Sequence, residues 1–187
     1  VESLCVDAGV PPVYHGVDDV SILDVSFILT TLNQNQEAEM RVRVSAVFEQ
    51  AGEVLCMRYV YGGKDVFALP GGGVDKDVPL QEATTLEWRN ELGVKLVIGD
   101  IIMIGEAPAT KRYPQTLHII FEAKEIHGTP KVRPDHTRSL EVCWVPVGKL
   151  GGTPLYPDVG KQLHEYFQQG AGRSLPFIVN CMERGFW

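Results

Sequence analysis

Between Gly71 and Val94 the chain reads GGGVDKDVPLQEATTLEWRNELGV, and both the residue types and their spacing can do chemistry. Three consecutive glycines let backbone approach a neighbour closely, because no Cβ stands in the way. Asp75 and Asp77 follow in a short acidic stretch. A helix running from there to Gly93 places Glu87 and Glu91 four residues apart, on one face, with Asn90 beside them. Trp88 and Leu92 form a second i, i+4 pair, rotated roughly 100° from the acids at 3.6 residues per turn. One face of such a helix docks in a core while the acidic edge meets the glycines. Two carboxylates, an amide oxygen and backbone carbonyls are hard oxygen ligands. They suit Mg²⁺ or Mn²⁺, and those ions suit phosphate chemistry.

Two glutamates at this spacing are more often a solvated helix face, and Glu91 could simply pair with Lys95. A glycine triplet by itself is only a turn signal. Taken as a whole, however, the segment resembles the box of the Nudix hydrolases, G-x5-E-x7-R-E-U-x-E-E-x-G-U, with U bulky and apolar. The spacing matches without insertion or deletion. Gly72 takes the first glycine, Glu87 the glutamate after the arginine, Trp88 the apolar position and Glu91 the second glutamate of the pair; Gly93 and Val94 close the box. The lead-in from Phe67 through Pro70, and Trp144, Pro146 and Leu150 further on, resemble the flanks of the same family. The likeness extends over roughly residues 41–168.

The sequence departs from that pattern at three positions. Val78 stands at the first glutamate, Leu86 at the arginine that orients a catalytic glutamate, and Asn90 at the first glutamate of the metal-binding pair. The resemblance implies an α+β fold of the Nudix α/β/α type, a mixed β-sheet between helices. It also implies divalent-metal-dependent hydrolysis of a nucleoside diphosphate linked to another moiety, weakened by the three substitutions. Glu87 and Glu91 are then the catalytic candidates, and Glu87, Glu91, Asn90 and the Gly72 carbonyl the ligands of Mg²⁺ or Mn²⁺. The alternative is an inactive Nudix-fold domain that binds a nucleotide or a protein partner. Phe67, Arg112 and Tyr113 are candidates for substrate binding, with Lys111 and Tyr61 nearby in type. Asp135, His136 and Glu141 are candidates for a further acid or base outside the box.

The elements that must position these residues follow from periodicity. Val42, Val44, Ala46 and Phe48 alternate as a half-buried strand does, Ala51 and Gly52 make a turn, and residues 54–61 supply a second strand, so a hairpin is expected. Residues 67–69 form a short strand into the glycines. Asp77 is expected to cap the helix, Pro79 to suit its first turn and Gly93 to end it. Strands are expected over 95–104, 116–126 and 141–147, and a second helix over 157–169, with Val159, Leu163 and Phe167 at i, i+4, i+8. The organisation expected is an arm over 1–38, a domain over 39–170 and a tail over 171–187. The apolar run 20–32 should cover part of the domain or a second copy, making a homodimer possible.

Composition narrows the classes. With 187 residues, 44% of them hydrophobic, the chain can bury one core, and disorder is excluded. Seventeen Lys+Arg against 24 Asp+Glu give a net charge of −7, and no basic run offers a face for a nucleic-acid duplex. The expected partner is a small nucleotide-like molecule. The four cysteines make no CxxC pair, so a zinc ribbon or a disulfide scaffold is not expected. Cys56 and Cys143 should pack as small hydrophobes in a reducing cytoplasm. No stretch approaches the ~20 apolar residues of a membrane span, and the first residues lack the basic start of a signal peptide.

Overall fold

The computed structural model describes residues 40–111, 113–169 and 176–182. The arm over 1–38, the run 20–32 and Arg112 lie outside the described residues, as does most of the tail. Ten strands are described, β1 (Arg41–Val47), β2 (Glu49–Gln50), β3 (Glu53–Tyr61), β4 (Lys64–Ala68), β5 (Gly71–Gly73), β6 (Lys95–Ala107), β7 (Thr116–His127), β8 (Glu141–Pro146), β9 (Leu155–Tyr156) and β10 (Phe177–Ile178). Helix α1 (Leu80–Leu92) follows β5, and α2 (Gly160–Gln169) follows β9; a 3-10 turn covers Val147–Gly152. The fold is α+β, as expected.

The strands form two mixed sheets. One has the order β10-β6-β7-β1-β5, the other β2-β3-β4-β9 with β8 on the free edge of β3. Alternate residues of the same strands serve two cores. Val44 and Ala46 of β1, Leu55 and Met57 of β3, and Ile119 and Phe121 of β7 pack under α1 with Trp88 and Leu92. Val47, Val54, Cys56 and Ile120 pack on the other side with Leu163 of α2 and Leu150 of the 3-10 turn. Both faces of these strands are therefore covered, although β1 alternates in sequence as a half-buried strand would.

That double coverage explains the first correction. β1 does not pair with β3 as a hairpin. It runs parallel to β7, with Val44 opposite Ile119, and antiparallel to β5, with Val44 opposite Gly72. The Ala51–Gly52 turn is present, both residues at positive φ, but the arm it returns to β3 is only Glu49–Gln50. The second correction concerns the helix start. Asp77 does not cap α1; it sits in a turn at φ 64°, and Pro79 is the N-cap, without a side-chain cap. Gly93 ends the helix as expected, in the left-handed conformation at φ 69°, its N–H donating to Arg89 O. Cys56 lies opposite Cys143 across β3 and β8, and both are free thiols. Among the described residues, no helix is long and apolar enough to cross a membrane.

Candidate functional site

The glycine triplet is a strand, not a free loop, and its pairing with β1 depends on having no side chains. A Cβ on Gly71 would lie 2.1 Å from Val44 O, so the two backbones approach as only glycine allows. A Cβ on Gly72 would lie 2.4 Å from Glu87 Cδ. The carboxylate of Glu87 therefore sits directly against the β5 backbone. The Gly71 N–H donates to Glu91 Oε2 at 3.3 Å. Sequence spacing put both acids on one edge of α1 beside the glycines, and the structure places them there. It does not leave that edge exposed: Glu87 is half-buried and Glu91 is buried. Glu91 does not pair with Lys95, which is exposed.

Burial governs the electrostatics. It pushes the Glu91 carboxyl up to about 7, helped by the charge of Glu87. Hydrogen bonding from Thr137 and the Gly71 amide, and the charge of Arg43, work the other way. Glu87 is also raised, first by burial and then by Asp75, against the pull of Arg43 and His136.

These acids line a cleft of about 1020 Å³ together with Gly71–Gly73 and residues of β1, β7, β9 and two loops. One loop, 134–138, brings Asp135, His136, Thr137 and Arg138 to the cleft. The segment leading into it is docked on the end of α1. Glu91 O and Leu92 O, among the last helical carbonyls, accept from Arg133 N at 2.9 Å and Lys131 N at 3.0 Å, and Arg89 O, which already accepts from Gly93 N, accepts also from Arg133 Nη1 at 3.0 Å. Tyr59 reinforces the loop through Thr137, hydroxyl to hydroxyl, at 3.1 Å. The other loop brings Thr110, Lys111 and Tyr113 to the rim. Arg41 and Arg43 on β1, and Tyr156 on β9, complete the cationic and aromatic wall.

The sequence candidates divide accordingly. Glu87, Glu91, Gly72, Asp135, His136, Lys111, Tyr61 and Tyr113 come together at the cleft. Asn90 does not. It is half-buried and outside the cleft lining, because at roughly 100° per residue it lies on the flank of the Glu87–Glu91 edge. Phe67 packs against the core under α2 rather than walling the cleft; its neighbour Ala68, on the opposite face of β4, lines the cleft instead. Glu141 is tied to Arg58, which also holds Asp65, on the outside of β3. Arg43, His118, Tyr59 and Tyr156 were missed. No local spacing marks them, because sheet order alone joins β1, β7 and β9 residues.

Among the described residues, no three His, Cys, Asp or Glu side chains are grouped to hold a metal ion. Two carboxylates are nonetheless a suitable donor set for Mg²⁺, which keeps most of its waters and shares substrate phosphates with one or two carboxylates. Among the described residues neither carboxylate is consumed by an ion pair, and the Gly72 backbone lies against Glu87. The residues present fit the ion on that restricted count.

Comparison with known proteins agrees with this arrangement. The family model described as NUDIX domain matches residues 39–167. Among solved structures, the chain is similar to a MutT protein from Methanosarcina mazei Go1 at 26% identity, covering 72% of this chain and 97% of that one, with a TM-score of 0.57. It is similar to a MutT NUDIX hydrolase from Burkholderia pseudomallei at 24% identity, covering 68% and 97%, TM-score 0.58. An ADP-ribose pyrophosphatase from Streptococcus suis shares the fold at 16% identity, covering 74% and 99%, TM-score 0.53. No curated protein sequence matches the chain significantly.

Proposed function

The chain belongs to the NUDIX domain family, and we propose that it hydrolyses a nucleoside diphosphate linked to another moiety, in the cleft bounded by α1, β5 and loop 134–138. The observation that carries this reading is the pair Glu87 and Glu91, set against the β5 backbone and facing the same cleft as Arg41, Arg43 and Lys111. Acids alone would repel a diphosphate; acids opposite cations accommodate one together with its counter-ion.

Glu87 and Glu91 are the residues that would hold Mg²⁺ (or Mn²⁺), with the Gly72 backbone beside them. When bound, such an ion neutralises diphosphate charge and makes water more acidic. The rest is the work of the chain. The Gly71 amide holds Oε2 of Glu91 and so orients its carboxylate. In the metal-free protein burial pushes that group up to about 7, so it exchanges its proton near neutral pH and gives it up where an ion is held. Tyr113 at the rim is exposed and offers a ring to a base. The free thiols at Cys56, Cys143 and Cys181 support a reducing, cytoplasmic setting.

A screen of nucleoside diphosphate derivatives, ADP-ribose among them, with and without Mg²⁺ and read by ³¹P NMR, tests the reading. Metal-dependent release of two phosphomonoesters, lost in Glu91→Gln, is the expected result. The second reading, a domain that binds without cleaving, is favoured by Leu86 and Asn90. Leu86 stands where the box has arginine and is 46% exposed, and Asn90 stays outside the cleft lining. Ligand binding without turnover across the screen selects it.

A further inference from the structure

The cleft floor pairs one of the cations that face the acids, Arg43, with a side chain to which the proposed hydrolysis gives no part, His118. Arg43 on β1 and His118 on β7 are register partners in a parallel ladder. Ladder partners point to the same face, so the two are side-by-side neighbours. Both line the cleft.

Arg43 is half-buried. Its Nη2 donates to Gly71 O at 3.1 Å, and its guanidinium lies over the Tyr156 ring, 5.3 Å from the centroid. Among the described residues no carboxylate is within ion-pair distance of it. A guanidinium has five N–H donors, and among the described residues one hydrogen bond, to Gly71 O, engages them. A cation taken partly out of water and fixed in orientation, with Glu87 and Glu91 acting on it only beyond ion-pair distance, has donors left to receive an anion.

His118 is 2% exposed, and its Nε2 has no hydrogen-bond partner among the described residues. Its ring meets the Tyr156 ring edge-on, with centroids 5.4 Å apart. A buried polar atom without a partner costs about 1–3 kcal/mol, which a ligand can relieve. Burial and the Arg43 charge push its pKa down to about 4, so the ring is neutral near pH 7 and can offer an N–H without adding charge.

We propose that Arg43 and His118 together hold a phosphate oxyanion of the ligand, with Tyr156 fixing both side chains from behind. This rests on the reading of the cleft as a diphosphate site and extends it. It assigns the floor of the cleft, not only the carboxylate edge, to the phosphates, and it requires no metal for that part of the binding.

The experiment therefore excludes metal. Inorganic pyrophosphate is titrated into the full chain in the presence of a chelator, by calorimetry and by ¹⁵N NMR of the imidazoles. Wild type is expected to bind and to shift one histidine Nε2 resonance that is missing from His118→Phe. Arg43→Gln should weaken binding at least about tenfold, as loss of a charge-assisted hydrogen bond does, with Arg43→Lys recovering part of it. His118→Phe keeps the ring against Tyr156 and should weaken binding about three- to tenfold. Thermal melts establish that the variants fold; should one not fold, the imidazole shift in wild type decides by itself. Wild type that does not bind pyrophosphate without metal overturns the proposal, as do folded variants that bind as wild type does, or an unmoved His118 resonance. Turnover is measured separately. Hydrolysis with unaltered metal-free binding in the variants sinks only this inference, whereas binding lost in the variants of a chain that never hydrolyses sinks only the hydrolase reading.

Discussion

The Gly71 N–H donates to Glu91 Oε2 at 3.3 Å, joining the last turn of α1 to the edge strand β5. A single backbone donor thus holds a carboxylate that burial has pushed up to about 7 from the usual 4.5. That combination makes Glu91 both the best-held acid of the site and a source of instability.

The sign follows from linkage. A carboxyl with a raised folded pKa binds its proton more tightly when folded, so without metal the protein loses stability as pH rises from about 4.5 through about 7. Glu91→Gln keeps an oxygen for the Gly71 amide and removes the charge. It should stabilise the metal-free protein by up to about 3 kcal/mol near pH 8, with the advantage vanishing below about pH 4. Urea melts of both proteins across that range check it.

Mg²⁺ binds the ionised carboxylates, so its stabilising effect on the wild type should grow as pH rises through about 7 and be lost in Glu91→Gln. The shift in melting temperature on adding Mg²⁺ at pH 6 and pH 8, conditions chosen to bracket the transition, is the measurement. An equal shift at both would separate the metal from Glu91.

Gly71 and Gly72 should fail differently. Alanine at 71 puts a Cβ 2.1 Å from the Val44 carbonyl, which is backbone and cannot swing away. Destabilisation above about 2 kcal/mol is expected. Alanine at 72 meets first the Glu87 carboxylate, the far end of a flexible side chain. The fold should persist with a loss of about 1 kcal/mol or less, while Mg²⁺ affinity and turnover fall about tenfold as Glu87 is displaced. Thermal melts with Mg²⁺ calorimetry separate the two outcomes.

Asn90 lies outside the cleft lining and Leu86 is exposed. Asn90→Ala should therefore leave Mg²⁺ affinity within about threefold, whereas Glu91→Ala should abolish it. Leu86→Lys should change stability by no more than about 0.5 kcal/mol. Strong loss of metal binding in Asn90→Ala would return that side chain to the ligand set.

Tyr59 anchors loop 134–138 through Thr137. Tyr59→Phe should cost about 1 kcal/mol and raise KM more than it lowers kcat, because it loosens a wall of the cleft rather than the acids. Steady-state kinetics on a substrate from the screen provide the check.

Local spacing was enough for some of this. Glu87, Glu91, Trp88 and Leu92 are related by one helix, so their faces follow from 3.6 residues per turn, and Gly93 ends that helix because it tolerates a positive φ. The box register, and with it the family, is likewise a property of contiguous residues. Other features depend on which strands become neighbours. β1 reads as one arm of a hairpin because alternation is a property of a strand, not of its partner; burial on both faces instead puts it between β7 and β5. That order sets Arg43 beside His118, 75 positions apart by subtraction of their numbers, and brings Tyr156 against both. The depth of Glu91, the loss of Glu141 to Arg58 and the turning of Phe67 into the core were also decided there. Periodicity tells which residues share a face, but what covers that face is fixed only when distant segments close over it, and solvent exclusion, charge proximity and pKa all follow from that closure.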